Sequence, residues 1–155
     1  MSRRLTALVI GNAAYEHAGV LTNPTNDAKD IAAKLAGCGF TVSKAIDCSL
    51  LEMDRVLKRF KKTLAENDVG LFFFAGHGMQ IEGENYLAAI DTDTAGEDEA
   101  KYSSLHVANA EPGCRRVHAR GREQGVCRCA VRHRSQCLPS GLRQLQKRER
   151  LAGPH

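Results

Sequence analysis

An unbroken apolar run at residues 69–75, VGLFFFA, restricts the possible folds of this chain more than any other feature. A strand with one face in water alternates apolar with polar residues, whereas a strand covered on both faces is apolar at consecutive positions. Strands of the second kind lie at the centre of parallel sheets that carry helices on both sides. The run therefore predicts an α/β fold with this segment near the middle of the sheet.

The preceding sequence contains the other elements that such a fold requires. Residues 5–10 form a short apolar run and residues 40–46 alternate apolar with polar side chains, so both segments are predicted to be strands. A first helix is predicted at residues 24–37, where a proline begins it and a glycine ends it. A second is predicted at residues 50–64, after a capping box at residues 49–52. The order strand, helix, strand, helix, strand predicts a doubly wound sheet.

Smaller elements are predicted after the third strand. Residues 79–88 indicate a hairpin that turns at Gly83. Residues 92–100 are acidic and polar, which is typical of a solvated loop. A further helix is predicted to begin at Leu105, after a serine cap.

A histidine between two glycines, Gly76-His77-Gly78, follows the predicted central strand. In an open α/β sheet, ligands bind outside the carboxyl ends of the strands, so His77 is predicted to lie at a functional edge. An imidazole can exchange protons near neutral pH. The glycines are expected to let the backbone turn sharply and to leave N–H groups open to a ligand. These three residues are equally compatible with a histidine held in a tight turn by backbone hydrogen bonds.

The composition of the chain changes near Ala110. Residues 1–110 contain 11 basic and 15 acidic residues, a net charge of −4, whereas residues 111–155 contain 11 basic and 3 acidic residues, a net charge of +8. Ten of those 11 basic residues are arginines, and four of the six cysteines lie in the same segment. We therefore predict one domain at residues 1–110 and a disordered Arg/Cys-rich tail at residues 111–155.

Five motifs give residues 4–110 a recognisable relationship: ALVIGNAAY, LTNPTNDA, GCGFTV, FFFAGHGMQ and GENYLAAID, in this order. In order and spacing they resemble the caspase-like cysteine peptidases, in particular the bacterial caspase-domain proteins related to metacaspases and paracaspases. The resemblance implies a caspase-hemoglobinase-like three-layer sandwich with a mostly parallel sheet. It departs from the family's usual pattern at Ala89, where a proline is common.

The resemblance also implies roles for three residues. His77 would be the catalytic histidine of a Cys/His dyad, and the N–H of Gly78 would help to hold the oxyanion. Asp27 would bind an Arg or Lys side chain of the substrate before the cut bond. An aspartate in the first turn of a helix is an equally good interpretation of Asp27, because the helix dipole favours anions there.

The nucleophile expected of this family has no counterpart in the sequence. Its motif, similar to Asp-Ala-Cys-Arg-Asp, ends a fourth apolar strand, and none of the cysteines of the tail follows such a strand; they are Cys114, Cys127, Cys129 and Cys137. Cys38 and Cys48 are interpreted as packing thiols. The domain is therefore predicted to be truncated, with a sheet that is incomplete at its C-terminal side and leaves one edge of the third strand without a partner, prone to aggregation.

A change of reading frame near Ala110 would explain the missing motif. Arginine-rich sequence without aspartate is typical of GC-rich DNA read in the wrong frame. When the codons of residues 129–141 are read one base forward, their degeneracy permits VLFVIDLNACRQ, an apolar strand followed by Ala-Cys-Arg. We therefore hypothesise that the tail is out of frame.

Other interpretations of the chain concern its tail and its partners. Arginine clusters can bind nucleic acid through its phosphates, but the tail has no Phe, Tyr or Trp to stack on bases, so nucleic acid is not the expected partner. Zinc could be held by two cysteines and two histidines, although their spacing matches no common structural site; they are Cys127, Cys129, His118 and His133. A third alternative is a non-catalytic caspase-like module that binds or regulates an active homologue.

The expected substrates, cofactors and location follow from the resemblance and from the apolar segments of the chain. The substrates are expected to be proteins or peptides, and the dyad chemistry requires no cofactor or metal, although calcium activates some caspase-like relatives. No run approaches the roughly 18 apolar residues of a membrane helix, and the start of the chain is too short in apolar residues for an export signal. We therefore expect a cytoplasmic protein with reduced cysteines.

Overall fold

The computed structural model describes residues 3–110, 117–120 and 126–133. The elements follow one another along the chain as β1 (Leu5–Gly11), α1 (Pro24–Gly37), β2 (Phe40–Ile46), α2 (Leu50–Leu64), β3 (Val69–Ile81), β4 (Glu84–Ala88), α3 (Glu97–Tyr102), β5 (Ser104–His106), α4 (Val107–Ala110), β6 (Val117–Arg120) and β7 (Val126–His133). Among the helices of these segments, none combines the length and the apolar content needed to cross a membrane.

Three parallel strands in the order β2-β1-β3 form the middle of the sheet. Their ends are aligned, because Gly11 at the end of β1 lies opposite Ile46 of β2 and Ala75 of β3. The two long helices cover opposite faces of these strands, which gives a three-layer α/β sandwich. The fold class predicted from the sequence is confirmed.

Alternate residues of the central strands pack into two separate clusters. Phe72 and Phe74 of β3 point toward α2 and contact a cluster that includes Met53 and Leu57. Phe73 of β3 and its neighbours on the other face pack against α1 instead. The apolar run at residues 69–75 is therefore buried on both faces, as its composition predicts.

Local signals place both helices where the sequence predicts them. The Ser49 hydroxyl accepts the N–H of Glu52 at 3.3 Å, and the Glu52 carboxylate accepts the N–H of Ser49 at 2.8 Å. This capping box starts α2 by satisfying two backbone donors that the helix cannot pair internally. Helix α1 begins with Pro24 and has no side-chain cap.

The third strand continues well beyond the predicted end of the apolar run. Its last part, from Gly78 to Ile81, pairs antiparallel with β4. The predicted hairpin is confirmed, with a two-residue turn in which Glu82 and Gly83 both have left-handed backbones, φ 51° and 81°. Two positive φ values match the twist of paired strands, and glycine adopts one of them without steric cost.

Two predictions for the following segment are wrong. Residues 97–100, predicted as part of a loop, lie in the short helix α3, and Leu105, predicted to begin a helix, lies in strand β5, with helix α4 beginning two residues later at Val107. The reason is tertiary pairing: β5 forms an antiparallel ladder with β4, in which Leu105 lies opposite Leu87. Burial of Leu105 against the α2 side of the sheet outweighs the local helix signal.

The far edge of β3 is also paired, and the prediction that it lacks a partner is wrong. Strand β7 runs antiparallel along it from Gly70 to His77, and β6 pairs with β7. Backbone hydrogen bonds of a ladder do not depend on large apolar side chains, so an arginine-rich segment can form them. The sheet is consequently mixed: its three central strands are parallel, and the strands added to β3 are antiparallel.

Candidate active site

The predicted site lies where the central strands end and β3 changes partners. His77 lies opposite Val126 of β7, and Gly78 lies opposite Leu87 of β4. His77 is therefore inside β3 and does not follow it, and neither Gly76 nor Gly78 has a positive φ. The prediction of a sharp glycine turn is wrong, because the strand passes through this point extended and exchanges one neighbour for another.

Tyr15 holds the backbone of His77. Its hydroxyl accepts the His77 N–H at 2.8 Å and donates to the carbonyl of Ala88, at the end of β4, at 3.3 Å. The two rings are also in contact, with centroids 4.5 Å apart and planes inclined by 58°. Tyr15 is only 5% exposed. One buried side chain thus connects the loop after β1 with both β3 and β4.

The tyrosine explains why a glycine precedes the histidine. A Cβ atom added to Gly76 would collide with the Tyr15 hydroxyl, and it would lie 2.8 Å from Cζ of Phe74 and 3.1 Å from the carbonyl oxygen of Asn12. Glycine is required here for close approach and not for an unusual backbone conformation.

The imidazole of His77 is oriented by a backbone carbonyl. Its Nε2 lies 2.8 Å from the oxygen of Gly19. A carbonyl oxygen can only accept, so Nε2 carries the proton in this hydrogen bond. In the neutral ring Nδ1 is then unprotonated and can accept a proton. The half-buried ring is therefore arranged as a base at Nδ1.

The loop that supplies Tyr15 and Gly19 is fixed at several points. The Asp47 carboxylate accepts the backbone N–H groups of Ala13 and Ala14 at 2.8 and 3.0 Å. The N–H of Glu16 donates to the carbonyl of Ile90 at 2.9 Å, and the Thr94 hydroxyl donates to the carbonyl of His17 at 2.6 Å. The carbonyl that orients His77 is consequently part of a well-anchored loop.

Asn12 is a fully buried polar residue beneath this loop. Its side-chain oxygen accepts the N–H of Cys48 at 2.9 Å, its amide nitrogen donates to the carbonyl of Ala88 at 3.2 Å, and its backbone N–H donates to Ala75 at 2.9 Å. The ends of β1, β3 and β4 and the segment before α2 are therefore connected through one residue, by its side chain and its backbone N–H.

Neither cysteine of the well-described N-terminal region is suited to be a nucleophile. Cys48 is 4% exposed in the core, and its burial, together with the charges of Glu52 and Asp47, raises the pKa of its thiol to about 11. Cys38 precedes β2 and lies at the opposite end of the sheet from His77, roughly 20 Å away along a seven-residue strand.

The register of β7 separates its cysteines from His77 as well. Cys127 lies opposite Gly76, and Cys129 lies opposite Phe74. Neither cysteine is paired with His77, whose partner in β7 is Val126. Cys114 and Cys137 lie outside the described residues.

The direction of β7 has a second consequence for the site. The strand begins opposite His77 and ends at His133, opposite Gly70. β7 therefore ends at the end of the sheet remote from the histidine. A parallel strand in the same place would deliver the residues that follow it to the His77 edge.

Asp27 lies at the same edge of the sheet, in the first turn of α1. This turn packs on the end of β1, where a Cβ on Gly11 would lie 2.5 Å from the carbonyl oxygen of Pro24 and 2.6 Å from Cβ of Ala28. The Asp27 N–H donates to the carbonyl of Asn23 at 2.8 Å, and its side chain is half-buried. The structure thus places Asp27 next to the end of β1, at the same edge of the sheet as His77 and Gly78, which are consecutive in β3.

Sequence reasoning identified His77 but missed Tyr15, Gly19 and Asn12. The motif GNAAY contains two of them, and an aromatic residue shortly after a strand end would have been the available signal. No group of three metal-binding side chains was found in the part of the chain with described side chains. Those of the zinc alternative, His118, Cys127, Cys129 and His133, lie outside that part.

Comparison with known proteins identifies relatives of this chain and its family. Mucosa-associated lymphoid tissue lymphoma translocation protein 1 of Homo sapiens is 28% identical over 91 residues, which are 59% of this chain and 11% of the human protein. Its Mus musculus homolog has the same identity and coverage. The chain thus spans about a tenth of the length of these relatives. Residues 4–109, more than half of the chain, match the caspase domain, and the chain therefore belongs to the caspase-like peptidase family.

Proposed function

We propose that residues 1–110 are the histidine-bearing part of a cysteine-type endopeptidase, and that this chain is a truncated form without the nucleophile. The single observation that carries the proposal is the state of His77: Nε2–H donates to the Gly19 carbonyl at 2.8 Å, which leaves Nδ1 as a base at the carboxyl edge of the sheet. A thiol needs such a base to become a nucleophile.

In the complete enzyme, Nδ1 of His77 accepts the proton of the thiol, and the thiolate attacks the scissile carbonyl. The N–H of Gly78 is the proposed donor to the oxyanion. The imidazolium then gives its proton to the leaving amine, which leaves an acyl-enzyme that water hydrolyses. The Nε2–H bond to Gly19 persists throughout, because that nitrogen does not exchange its proton.

Asp27 is the proposed binding residue for the substrate side chain before the cut bond. It is acidic, half-buried and on the helix that begins next to the end of β1. A carboxylate in this position favours Arg or Lys, through a charge-assisted hydrogen bond. We propose protein or peptide substrates with a basic residue there, and a cytoplasmic setting.

The missing nucleophile is proposed to result from a change of reading frame near Ala110. Two observations support the absence of a nucleophile from residues 3–110: Cys48 is buried with a raised pKa, and Cys38 lies at the end of the sheet opposite His77. Codon degeneracy permits the shifted frame to encode a cysteine over the codon of Leu138, after an apolar strand. Sequencing the gene across codons 105–145 tests the frame directly.

Activity measurements test the peptidase proposal. The present chain is expected to hydrolyse no Arg or Lys peptide amide reporter in a His77-dependent way. A chain whose frame is restored by removing one base near codon 110 is expected to cleave it, and His77→Ala should reduce that rate roughly 10²–10⁴-fold. His106→Ala is the matched control, because this histidine lies on β5 beside Glu84. Equal rates for the restored chain and its His77→Ala variant would contradict the proposal.

A non-catalytic role as partner of a caspase-like homologue is the second candidate. The observation that favours it is the edge of β3, which accepts a strand of unrelated sequence along Gly70–His77. An edge of this kind can also accept a strand from another chain. Co-purification with a full-length homologue tests this role, and removal of residues 111–155 should strengthen the interaction.

A further inference from the structure

We propose that Tyr15 is a positioning residue for His77, and that its hydroxyl replaces the carbonyl with which β1 would otherwise hold β3 at the active-site edge. This inference rests on the proposed function, because it assigns Tyr15 to the base of the same site. It concerns how the base is held and not which bond is cut.

The end of the β1–β3 ladder shows the replacement. The N–H of Asn12 donates to the carbonyl of Ala75 at 2.9 Å, which is the pattern of a continuing parallel ladder. In such a ladder the next bond would run from the N–H of His77 to the carbonyl of Asn12. The His77 N–H instead donates to the Tyr15 hydroxyl at 2.8 Å. The ladder is therefore completed by a side chain.

Because the Tyr15 hydroxyl stands in place of the Asn12 carbonyl, the loop after β1 can reach the His77 ring. Because the hydroxyl takes the His77 N–H, the backbone of β1 can leave the sheet after Asn12 and turn toward residue 19. The carbonyl of Gly19 can then reach Nε2 of His77 at 2.8 Å. A regular continuation of β1 would keep the chain along β3 and away from the imidazole. Tyr15 thus holds the backbone of His77, and the loop that orients the imidazole is free to leave the sheet.

The Tyr15 hydroxyl acts both as an acceptor and as a donor. It accepts from β3 and donates to the carbonyl of Ala88 at 3.3 Å, so it also sets β4 against β3. The ring contributes a contact with the imidazole, at 4.5 Å between centroids. Phenylalanine would keep the ring contact and lose both hydrogen bonds, which makes Tyr15→Phe a selective probe of the hydroxyl.

Two NMR measurements on the full chain test the proposal. In Tyr15→Phe, hydrogen exchange of the His77 amide is expected to accelerate about tenfold, because its partner is removed. The fraction of His77 in the Nε2–H tautomer, read from imidazole ¹⁵N shifts, is expected to fall, because the ring is no longer held at the Gly19 carbonyl. Tyr86→Phe is the matched control, since Tyr86 is equally buried but contacts His106.

The outcomes distinguish a positioning role of Tyr15 from a purely structural one. Unchanged exchange and tautomer in Tyr15→Phe would overturn the proposal, and so would a loss of stability with the tautomer unchanged. If Tyr15→Phe does not fold, the unmodified chain decides: a His77 that is mainly Nδ1–H, or whose amide exchanges as fast as an exposed one, refutes the arrangement. Neither measurement requires catalysis, so an inactive frame-restored enzyme would reject the peptidase proposal and leave this result standing.

Discussion

Replacement of Gly76 by alanine should destabilise the domain through one identifiable collision. The added Cβ would meet the Tyr15 hydroxyl, with Cζ of Phe74 at 2.8 Å and the Asn12 carbonyl oxygen at 3.1 Å. Forcing a methyl group into a packed site costs about 1–3 kcal/mol. Displacing the hydroxyl from the His77 N–H adds about 1 kcal/mol. Since the backbone of Gly76 has no positive φ, conformational strain adds nothing, and we expect a loss of about 3 kcal/mol.

A double-mutant cycle with Tyr15→Phe makes the reasoning testable. Tyr15→Phe alone should cost about 1–2 kcal/mol, because it leaves a buried N–H without its partner. The combined variant should cost less than the sum by about 1 kcal/mol, since the nearest obstacle to the new Cβ is gone. Urea denaturation followed by circular dichroism measures all four free energies of unfolding.

Gly37→Ala is the matched control for this cycle. A Cβ on Gly37, the last residue of α1, would meet nothing within 4 Å. Alanine there should leave the free energy of unfolding unchanged or increase it slightly, by less than about 1 kcal/mol. Strict additivity of Gly76→Ala and Tyr15→Phe would refute the claim that the hydroxyl is what Gly76 accommodates.

Three further predictions concern other parts of the domain. Asn12→Ala should lower the free energy of unfolding by about 2–3 kcal/mol in urea titrations, because it strands the Cys48 N–H in the core; a loss under about 0.5 kcal/mol would contradict this. With its pKa raised from 9.0 to about 11, Cys48 should react with iodoacetamide far more slowly than Cys38 at pH 8, as peptide mass spectrometry would show. For the same reason, the free energy of unfolding should decline as the pH rises from 9 to 11. The Lys101 ammonium, 2.5 Å from the Glu82 carboxylate, lowers the pKa of Glu82. The pair therefore contributes to folding stability above pH 4.5, and this contribution is lost as the pH falls through the lowered pKa. Lys101→Met should raise the pKa of Glu82 toward its ordinary value in an NMR titration, and an unchanged value would exclude the pair in solution.

The sequence was sufficient for the elements that local rules determine. The apolar run of β3, the capping box before α2 and the proline start of α1 each have a physical signature within a few residues, and the structure has all three. His77 could be placed at the sheet edge because strand order alone determines which ends of parallel strands coincide. These inferences required no knowledge of distant contacts.

Predictions failed where a distant partner decides the local structure. Leu105 forms a strand because β4 is available to pair with it, and the path through His77 is extended because β3 pairs with β7 up to His77 and with β4 from Gly78 onward. The function of Tyr15 was invisible for the same reason: its partners lie 62 and 73 residues away. Propensity describes a residue's own neighbourhood, and these contacts are between segments remote in sequence.

The antiparallel β7 shows that protecting a sheet and completing a catalytic centre are independent requirements. Any segment able to extend can satisfy the N–H and C=O groups along β3, whichever way it runs. Catalysis, in contrast, depends on the polarity of that segment, because polarity decides which end of the sheet receives the residues that come next. Under the proposed change of reading frame, β7 therefore satisfies the edge of β3 while its own end lies opposite Gly70, away from His77.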